Sequence, residues 1–147
     1  MTGAVTGALL LDTHIALWLE SGDERLRPTT RALIDGCWEG GGTIFVSAVT
    51  AWEIALLVDA GRIDLDVDAT RWVERFLDKP GVTAAPLTWR AAAGAYGLGS
   101  FAHRDPADRL LIVTAIELDC PLVTYDEQIT AFATRHGRRY GFAAVRG

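Results

Sequence analysis

The sequence predicts an α/β fold, an α/β/α sandwich with a mainly parallel central sheet of about four to five strands. Two observations support this prediction. Short apolar runs typical of buried strands alternate with segments of helical periodicity along the 147 residues. Acidic or hydroxyl-bearing residues follow several of these runs, at the strand ends where open parallel sheets bind their ligands. The length and the hydrophobic content of 50% suit one domain, residues 1–147, with a sizeable core.

The first half of the chain is predicted to contain two strands, each followed by helices. The run Ala8–Leu11 is apolar throughout, which indicates a strand buried on both faces. Ser21 to Asp23 and Gly61 interrupt the helical pattern, and Ser47 is a good helix N-cap. These signals predict strands at 8–11 and 43–46, helices at 13–19 and around 29–38, a helix from Ser47 to about residue 60, and another beginning at Asp68 or Thr70.

The second half continues the alternation and holds the most hydrophobic helix. Asp105 followed by Pro106 predicts its start, because Asp caps a helix and Pro suits the first helical position. The full prediction is a strand at 82–87, an alanine-rich helix at 89–96, a helix from 105 to about 119, a strand at 121–124, a helix at 126–135 and an edge strand at 140–145.

Composition excludes some classes of function. The net charge of -5 argues against a protein that coats nucleic acid, but not against an enzyme whose clustered carboxylates bind a metal ion. No apolar stretch approaches the length of about 20 residues that crosses a membrane, and the N-terminus lacks a secretion signal. We therefore expect a cytoplasmic protein with no membrane partner. Cys37 and Cys120 are expected to be buried, reduced thiols, and the five tryptophans to pack in the core or at an interface.

Four acidic residues are candidates for a metal site: Asp12, Glu53, Asp108 and Asp126. Asp12 and Asp126 follow predicted strands, whereas Glu53 and Asp108 lie in helices among apolar neighbours, where an uncompensated carboxylate is costly. Each acid also has a structural alternative. Asp12 and Asp126 suit helix N-caps, Asp108 suits the first turn of a helix, and Glu53 would be satisfied by an arginine at the rim.

Taken together, four segments resemble the PIN-domain ribonucleases, and within them the VapC-type toxins of bacterial toxin-antitoxin pairs. The resemblance covers nearly the whole chain in order, spacing and length. The segments are Leu10-Leu11-Asp12-Thr13-His14, Ser47-Ala48-Val49-Thr50-Ala51-Trp52-Glu53-Ile54, the run from His103 to Ile112, and Leu122-Val123-Thr124-Tyr125-Asp126.

This resemblance implies a Mg²⁺- or Mn²⁺-dependent endoribonuclease, with one or two ions held by Asp12, Glu53, Asp108 and Asp126. It also implies a homodimer and a cognate antitoxin that blocks the acidic pocket. Ser47 and Thr124 match hydroxyl positions that flank such sites, and Asp105 is either a further member of the acidic cluster or only a cap. Oxygen ligands without a His/Cys cluster independently favour Mg²⁺ or Mn²⁺ over zinc. Hydrolysis by a metal-activated water would leave a 5′-phosphate and a 3′-hydroxyl.

Arg104 and Arg109 are candidates for binding the phosphates of the RNA substrate, with an ion pair to Asp105 or Asp108 as the alternative. Two other functions compete with a toxin nuclease. One is a housekeeping metallonuclease that processes RNA or DNA. The other is a catalytically idle PIN-like binding or assembly module, although such a module has no need of four intact acids.

Overall fold

A parallel sheet forms the centre of the molecule. The computed structural model describes residues 7–99, 101 and 105–147, and in this part of the chain the sheet has five strands, all paired in parallel. The strand order is β3-β2-β1-β4-β5. The strands are β1 (Ala8–Leu11), β2 (Thr43–Ser47), β3 (Val82–Ala85), β4 (Leu122–Val123) and β5 (Ala144–Val145). The predicted α/β class with a mainly parallel sheet is confirmed.

Helices cover both faces of this sheet. They are α1 (Thr13–Ser21), α2 (Pro28–Glu39), α3 (Ala48–Asp59), α4 (Ala69–Leu77), α5 (Trp89–Gly94), α6 (Pro106–Leu118) and α7 (Glu127–Tyr140), with a short 3₁₀ helix at Ala95–Gly97. Within the described residues no helix is both long enough and apolar enough to span a membrane.

The central strand β1 separates two hydrophobic cores. Leu9 and Leu11 pack in the core on the side of α1, α2 and α4, whereas Leu10 packs in the core on the side of α6 and α7. All three side chains are fully buried. Successive side chains of a strand point to opposite faces, so an unbroken apolar run is what a strand between two helical layers requires.

Helix starts follow the predicted capping chemistry closely. In the part of the chain that the structure describes, six helices carry a side-chain cap from the residue before them, namely Asp12, Ser47, Asp68, Thr88, Asp105 and Asp126. In each case the side-chain oxygen accepts a hydrogen bond from a backbone N–H of the first turn. This satisfies a donor that would otherwise lack an intrahelical partner.

The largest departure from prediction is at the C-terminal end. The predicted helix at 126–135 continues to Tyr140, and the predicted edge strand at 140–145 shrinks to Ala144–Val145. Phe132, Gly137 and Phe142 are buried, so the extra turn of α7 is held by packing and not by local propensity. Gly141 then ends the helix in the left-handed conformation typical of a glycine C-cap, with a φ of 69°.

The tryptophans, predicted to pack in the core or at an interface, divide between buried and exposed positions. Trp72 is buried, but Trp38, Trp52 and Trp89 are exposed by 47%, 56% and 72%. Cys37 and Cys120 are buried thiols outside any disulfide, as predicted, and burial raises the pKa of the Cys120 thiol to about 11. That thiol is therefore kept protonated and unreactive at neutral pH.

Candidate active site

The candidate site lies where the direction of winding of the sheet changes. From β1 the chain proceeds to β2 on one side, whereas β4, the other neighbour of β1, leads to β5 on the opposite side. Crevices of this kind, beyond the carboxyl ends of the strands, are where open α/β sheets bind ligands. A cavity of about 420 Å³ opens here, which we call the acid pocket. It is lined by Asp12, His14, Ile15, Trp18, Arg25, Glu53, Asp105, Asp108, Tyr125 and Asp126.

Asp12 is held by two hydrogen bonds, one to each carboxylate oxygen. Its Oδ1 accepts from the backbone N–H of Thr13 at 2.7 Å, which caps α1, and its Oδ2 accepts from the Thr124 hydroxyl at 2.6 Å. Burial raises the pKa of Asp12 in spite of these two bonds, and the nearby Asp126 charge raises it further. Capping and a role in the site therefore coexist in one side chain, and Thr124 holds the carboxylate as predicted.

Glu53 is oriented by a threonine pair. Its Oε1 accepts a 2.5 Å hydrogen bond from the hydroxyl of Thr13, whose oxygen lies 3.1 Å from the hydroxyl oxygen of Thr50. Burial raises the pKa of Glu53, and the Asp12 and Asp105 charges add to this effect. Neither Thr13 nor Thr50 was predicted from the sequence as a site residue. Their positions next to Asp12 and one helical turn before Glu53 were the available signal.

Asp108 is the least solvent-exposed acid of the pocket. Its exposure is 7%, and burial raises its pKa to about 8. The charges of four neighbouring acids contribute to the same shift, and these are Asp105, Asp12, Asp126 and Glu53. These four acids line the same cavity as Asp108, so all of the predicted acids converge here and like charges favour its neutral form.

Asp105 and Asp126 are caps that also line the pocket. Asp105 Oδ1 accepts from the backbone N–H of Ala107 at 3.0 Å, and Asp126 Oδ1 accepts from that of Ile129 at 3.0 Å. Each cap uses one carboxylate oxygen of two. Asp105 therefore belongs both to the start of α6 and to the acidic cluster, so its two alternatives are not exclusive.

Ser47 and Arg109 have structural roles. Ser47 Oγ accepts from the backbone N–H of Val49 at 3.0 Å and so caps α3, and Ser47 is not among the described residues that line the acid pocket. The guanidinium of Arg109 donates to the carbonyl oxygens of Ala95 at 3.2 Å and Phe101 at 2.6 Å. These bonds are not the alternative ion pair with an acid, and the predicted phosphate contact stays a prediction.

Arg104, the other arginine predicted to bind phosphate, lies outside the described residues, as does His103. The arginine that does line the pocket, Arg25, was not predicted. It lies between α1 and α2, far in sequence from the acidic segment at 105–108, so only the tertiary structure brings the two together.

The carboxylate oxygens of the acid pocket are the kind of ligand that a hard divalent cation prefers. Five carboxylates of the described residues face one cavity, and burial with mutual repulsion raises the pKa of three of them, Asp12, Glu53 and Asp108. A divalent cation would relieve this repulsion. Within the described part of the chain, however, no three acidic, histidine or cysteine side chains lie close enough together to form a ready cation site. Binding would therefore require these side chains to come closer together than they are in this structure.

The family model for the PIN domain matches residues 9–134, which is most of the chain. The chain belongs to the PIN-domain family. This PIN domain is 33% identical over 130 residues to Ribonuclease VapC22 of Mycobacterium tuberculosis, a match that covers 88% of this chain and 94% of that protein. The predicted resemblance to VapC-type PIN domains is confirmed.

Solved structures agree with this PIN fold. One is the crystal structure of VapBC2 from Rickettsia felis bound to a DNA fragment from their promoter, with a TM-score of 0.64 and 13% identity over 94% of this chain and 97% of that chain. Another is FitAcB from Neisseria gonorrhoeae, with a TM-score of 0.51 and 19% identity over 94% of this chain and 96% of that chain. At these identities the likeness concerns the fold alone.

Proposed function

We propose that this PIN domain is a Mg²⁺- or Mn²⁺-dependent endoribonuclease. The observation that carries the proposal is the convergence of five carboxylates in one cavity at the switch point of the sheet, with Asp108 buried among them. The kinship with Ribonuclease VapC22 supports RNA as the substrate. Capping explains three of the acids, but it gives no reason for Glu53 and Asp108 to face the same cavity.

The acids of the pocket have distinct tasks in this proposal. Asp12, Glu53, Asp108 and Asp126 would hold one or two ions, and Asp105 would add negative charge at the rim. When bound, such an ion would activate a water and neutralise charge on the phosphate that is cleaved. Thr124 and Thr13 keep the carboxylates of Asp12 and Glu53 aimed, as hydroxyls beside metal ligands commonly do. The products would be a 5′-phosphate and a 3′-hydroxyl.

The names of the relatives support a place in a toxin-antitoxin pair. The kinship with Ribonuclease VapC22, together with the resemblance to VapC-type toxins, supports a role for this chain as the toxin that binds a cognate antitoxin protein. A homodimer belongs to the same proposal. Trp52 and Leu56, four residues apart on α3, are exposed by 56% and 49% and offer an apolar face for a second copy.

Cleavage of an RNA pool tests the proposal. Purified wild type and Asp12→Asn would be incubated with tRNA, ribosomal RNA and messenger RNA in Mg²⁺, in Mn²⁺ and in chelator. We expect wild type alone to cut, only with metal, and to leave 5′-phosphate ends. Asp59→Asn, which changes an exposed acid at the end of α3, is the matched control and should cut like wild type.

Two other results would redirect the proposal. Equal cutting by Asp12→Asn, or no cutting in either metal, would overturn the catalytic function and leave a binding module. Efficient cutting without growth arrest on expression would instead indicate a housekeeping nuclease and contradict the toxin role.

A further inference from the structure

One wall of the acid pocket is built from aromatic rings and a cation, which we call the α1 wall (His14, Trp18, Arg25 and Tyr125). The His14 and Trp18 rings are one helical turn apart on α1, with centroids separated by 5.7 Å. The Tyr125 ring lies 5.9 Å from Trp18, and the Arg25 guanidinium carbon lies 5.1 Å from the centre of the Trp18 ring. All four residues line the pocket that holds the acids.

Arg25 is fixed in place before any ligand arrives. Its backbone N–H, Nε and Nη2 donate to the carboxylate of Asp23 at 2.8, 3.1 and 2.8 Å. These bonds lower the pKa of Asp23 to about 2, so the pair stays ionised at neutral pH. Within the described residues, Nη1 donates to no protein acceptor. The side chain is 67% exposed, so a strong contribution of this ion pair to stability is not expected.

The charges of the pocket create a need for such a cation. RNA is a polyanion, and five carboxylates would repel the phosphates that flank the one to be cleaved. Among the described residues that line the pocket, Arg25 is the one arginine or lysine. Arg109 lies outside this lining and donates to the backbone carbonyls of Ala95 and Phe101. Single-stranded RNA is commonly bound by arginine together with aromatic rings on which its bases stack.

We propose that the α1 wall is a nucleotide-binding subsite, in which Arg25 contacts a phosphate next to the cleaved bond and the exposed His14 ring, backed by Trp18, stacks on a base. This inference rests on the proposed ribonuclease function and adds to it the residues that bind the substrate. The wall also borders a second cavity of about 570 Å³, which shares His14, Trp18 and Arg25 and continues to Arg62 and Trp72, with the carboxylates of Asp23 and Asp64 also in its lining. A single strand leaving the acid pocket has a path there.

The test measures RNA binding separately from cleavage. A fluorescent single-stranded RNA of about 12 nucleotides would be titrated with full-length protein in chelator, at several salt concentrations. For Arg25→Gln we expect about tenfold weaker binding, and a fall of about 0.7 in the slope of log affinity against log salt, as for the loss of one phosphate contact to a single strand. His14→Ala should weaken binding with an unchanged slope, because a stacking contact releases no counterion.

Arg75→Gln is the matched control. Arg75 makes a similar exposed pair with Asp66 and lines neither the acid pocket nor the second cavity. The Arg75→Gln variant should match wild type in its affinity for RNA and in the slope of log affinity against log salt. In metal, Arg25→Gln should raise KM by about the same tenfold factor and leave kcat nearly unchanged, since a contact equal in ground and transition states affects binding alone.

The outcomes separate the two proposals. If wild type cuts RNA but Arg25→Gln matches Arg75→Gln in affinity, salt slope and KM, the subsite is overturned while the ribonuclease stands, and the wall is left to a protein partner. If wild type binds RNA through Arg25 without cutting it, the subsite stands and the catalytic proposal fails. A wild type that neither binds nor cuts RNA overturns both.

Discussion

At Asp108, burial and four neighbouring carboxylates all favour the protonated form. The pKa of about 8 in the folded chain lies well above the ordinary value of about 3.9 for an unfolded chain. At a pH between these two pKa values, Asp108 therefore holds a proton in the folded chain and releases it in the unfolded chain. The free energy of unfolding of the metal-free protein must fall as pH rises through this window, by at most about 1.4 kcal/mol per pH unit for one proton.

Asp108→Asn should remove much of this pH dependence. Urea unfolding in chelator, measured between about pH 5 and pH 8, should show wild type losing stability as pH rises and the variant losing less. Added Mg²⁺ should raise the unfolding midpoint of wild type more at the higher pH, where Asp108 gives up its proton most easily. Asp59→Asn is again the control, and a wild-type midpoint that does not fall with pH would contradict the prediction.

Thr13 tests whether the hydroxyls beside the acids matter. Thr13→Val keeps the shape of a fully buried side chain but removes the hydrogen bond to Glu53. We expect a 10- to 100-fold loss of metal affinity or activity, about the effect usual for residues that orient metal ligands. Calorimetric titration with Mn²⁺ measures the first quantity directly. Thr114→Val is the control, because that buried hydroxyl donates only to a carbonyl of its own helix. Equal affinities in the two variants would refute the role.

Single residues were predictable where chemistry is local. Asp12, Asp105 and Asp126 could be identified because they precede helices, and Glu53 and Asp108 because they lie among apolar neighbours. The partners that complete the site were not predictable in this way. Thr13 donates to Glu53, 40 residues away in sequence, and its one sequence signal was its position next to Asp12. Arg25 lines the pocket from the segment between α1 and α2, where no local pattern marks it as a site residue.

Arg109 links the elements that lead into the acidic segment. From α6 its guanidinium reaches back to the carbonyls of Ala95 and Phe101, and it lies 4.8 Å from the centre of the Tyr96 ring. It therefore ties the short 3₁₀ helix and Phe101 to the helix that carries Asp108. These contacts indicate that Arg109 positions this segment, and the phosphate contact expected of Arg109 stays a prediction.

Arg109→Ala should loosen that segment. The loss of two hydrogen bonds from a charged donor should lower the free energy of unfolding by about 2 kcal/mol. Hydrogen exchange at the amides of Ala95, Tyr96 and Phe101 should speed up more than exchange in the rest of the chain. Arg109→Lys should recover only part of the protection, because an ammonium lacks the planar fork. Arg90→Ala is the control, since Arg90 stacks on the exposed Trp89 ring of α5. Unchanged exchange in Arg109→Ala would contradict the positioning role.

Helix starts were more predictable than strand ends. The caps Ser47, Asp68 and Asp126 place the starts of α3, α4 and α7 correctly, because a cap is a bond between neighbours in sequence. The strands were predicted too long at β3 and β5, and α7 too short. Strand ends depend on which residues find a partner across the sheet, and the sequence pattern alone does not carry that information.

At the scale of the whole molecule, the exposed apolar face of α3, formed by Trp52 and Leu56, is not covered by any other part of the described chain. Trp52→Glu places a charge on the exposed face of α3, which should disrupt a dimer formed through it while leaving the monomer folded. Light scattering during size exclusion should then show the mass of two chains for wild type and one for the variant. Trp89→Glu adds the same charge at an exposed position on α5 and should remain dimeric. A wild type with the mass of one chain would refute the dimer.

The class of the fold was predictable, whereas the strand order was not. Alternating apolar runs and amphipathic segments point to a parallel sheet whatever the order of its strands. The order β3-β2-β1-β4-β5 depends on pairings such as Leu10 with Leu122, which join residues from opposite ends of the chain. It is this order that brings Asp12 and Asp126 to one crevice.

The pairing of β1 with β4 also determines when the acid pocket forms during synthesis. The ribosome releases Asp12 well before Thr124, so the hydrogen bond from Thr124 and the pairing of β1 with β4 must wait until residues 122–124 have emerged. A chain interrupted by a stop codon or cut by a protease before residue 122 has β1 without its neighbour and lacks Asp126. The acid pocket therefore forms only in chains translated past residue 126, and shorter ones lack it.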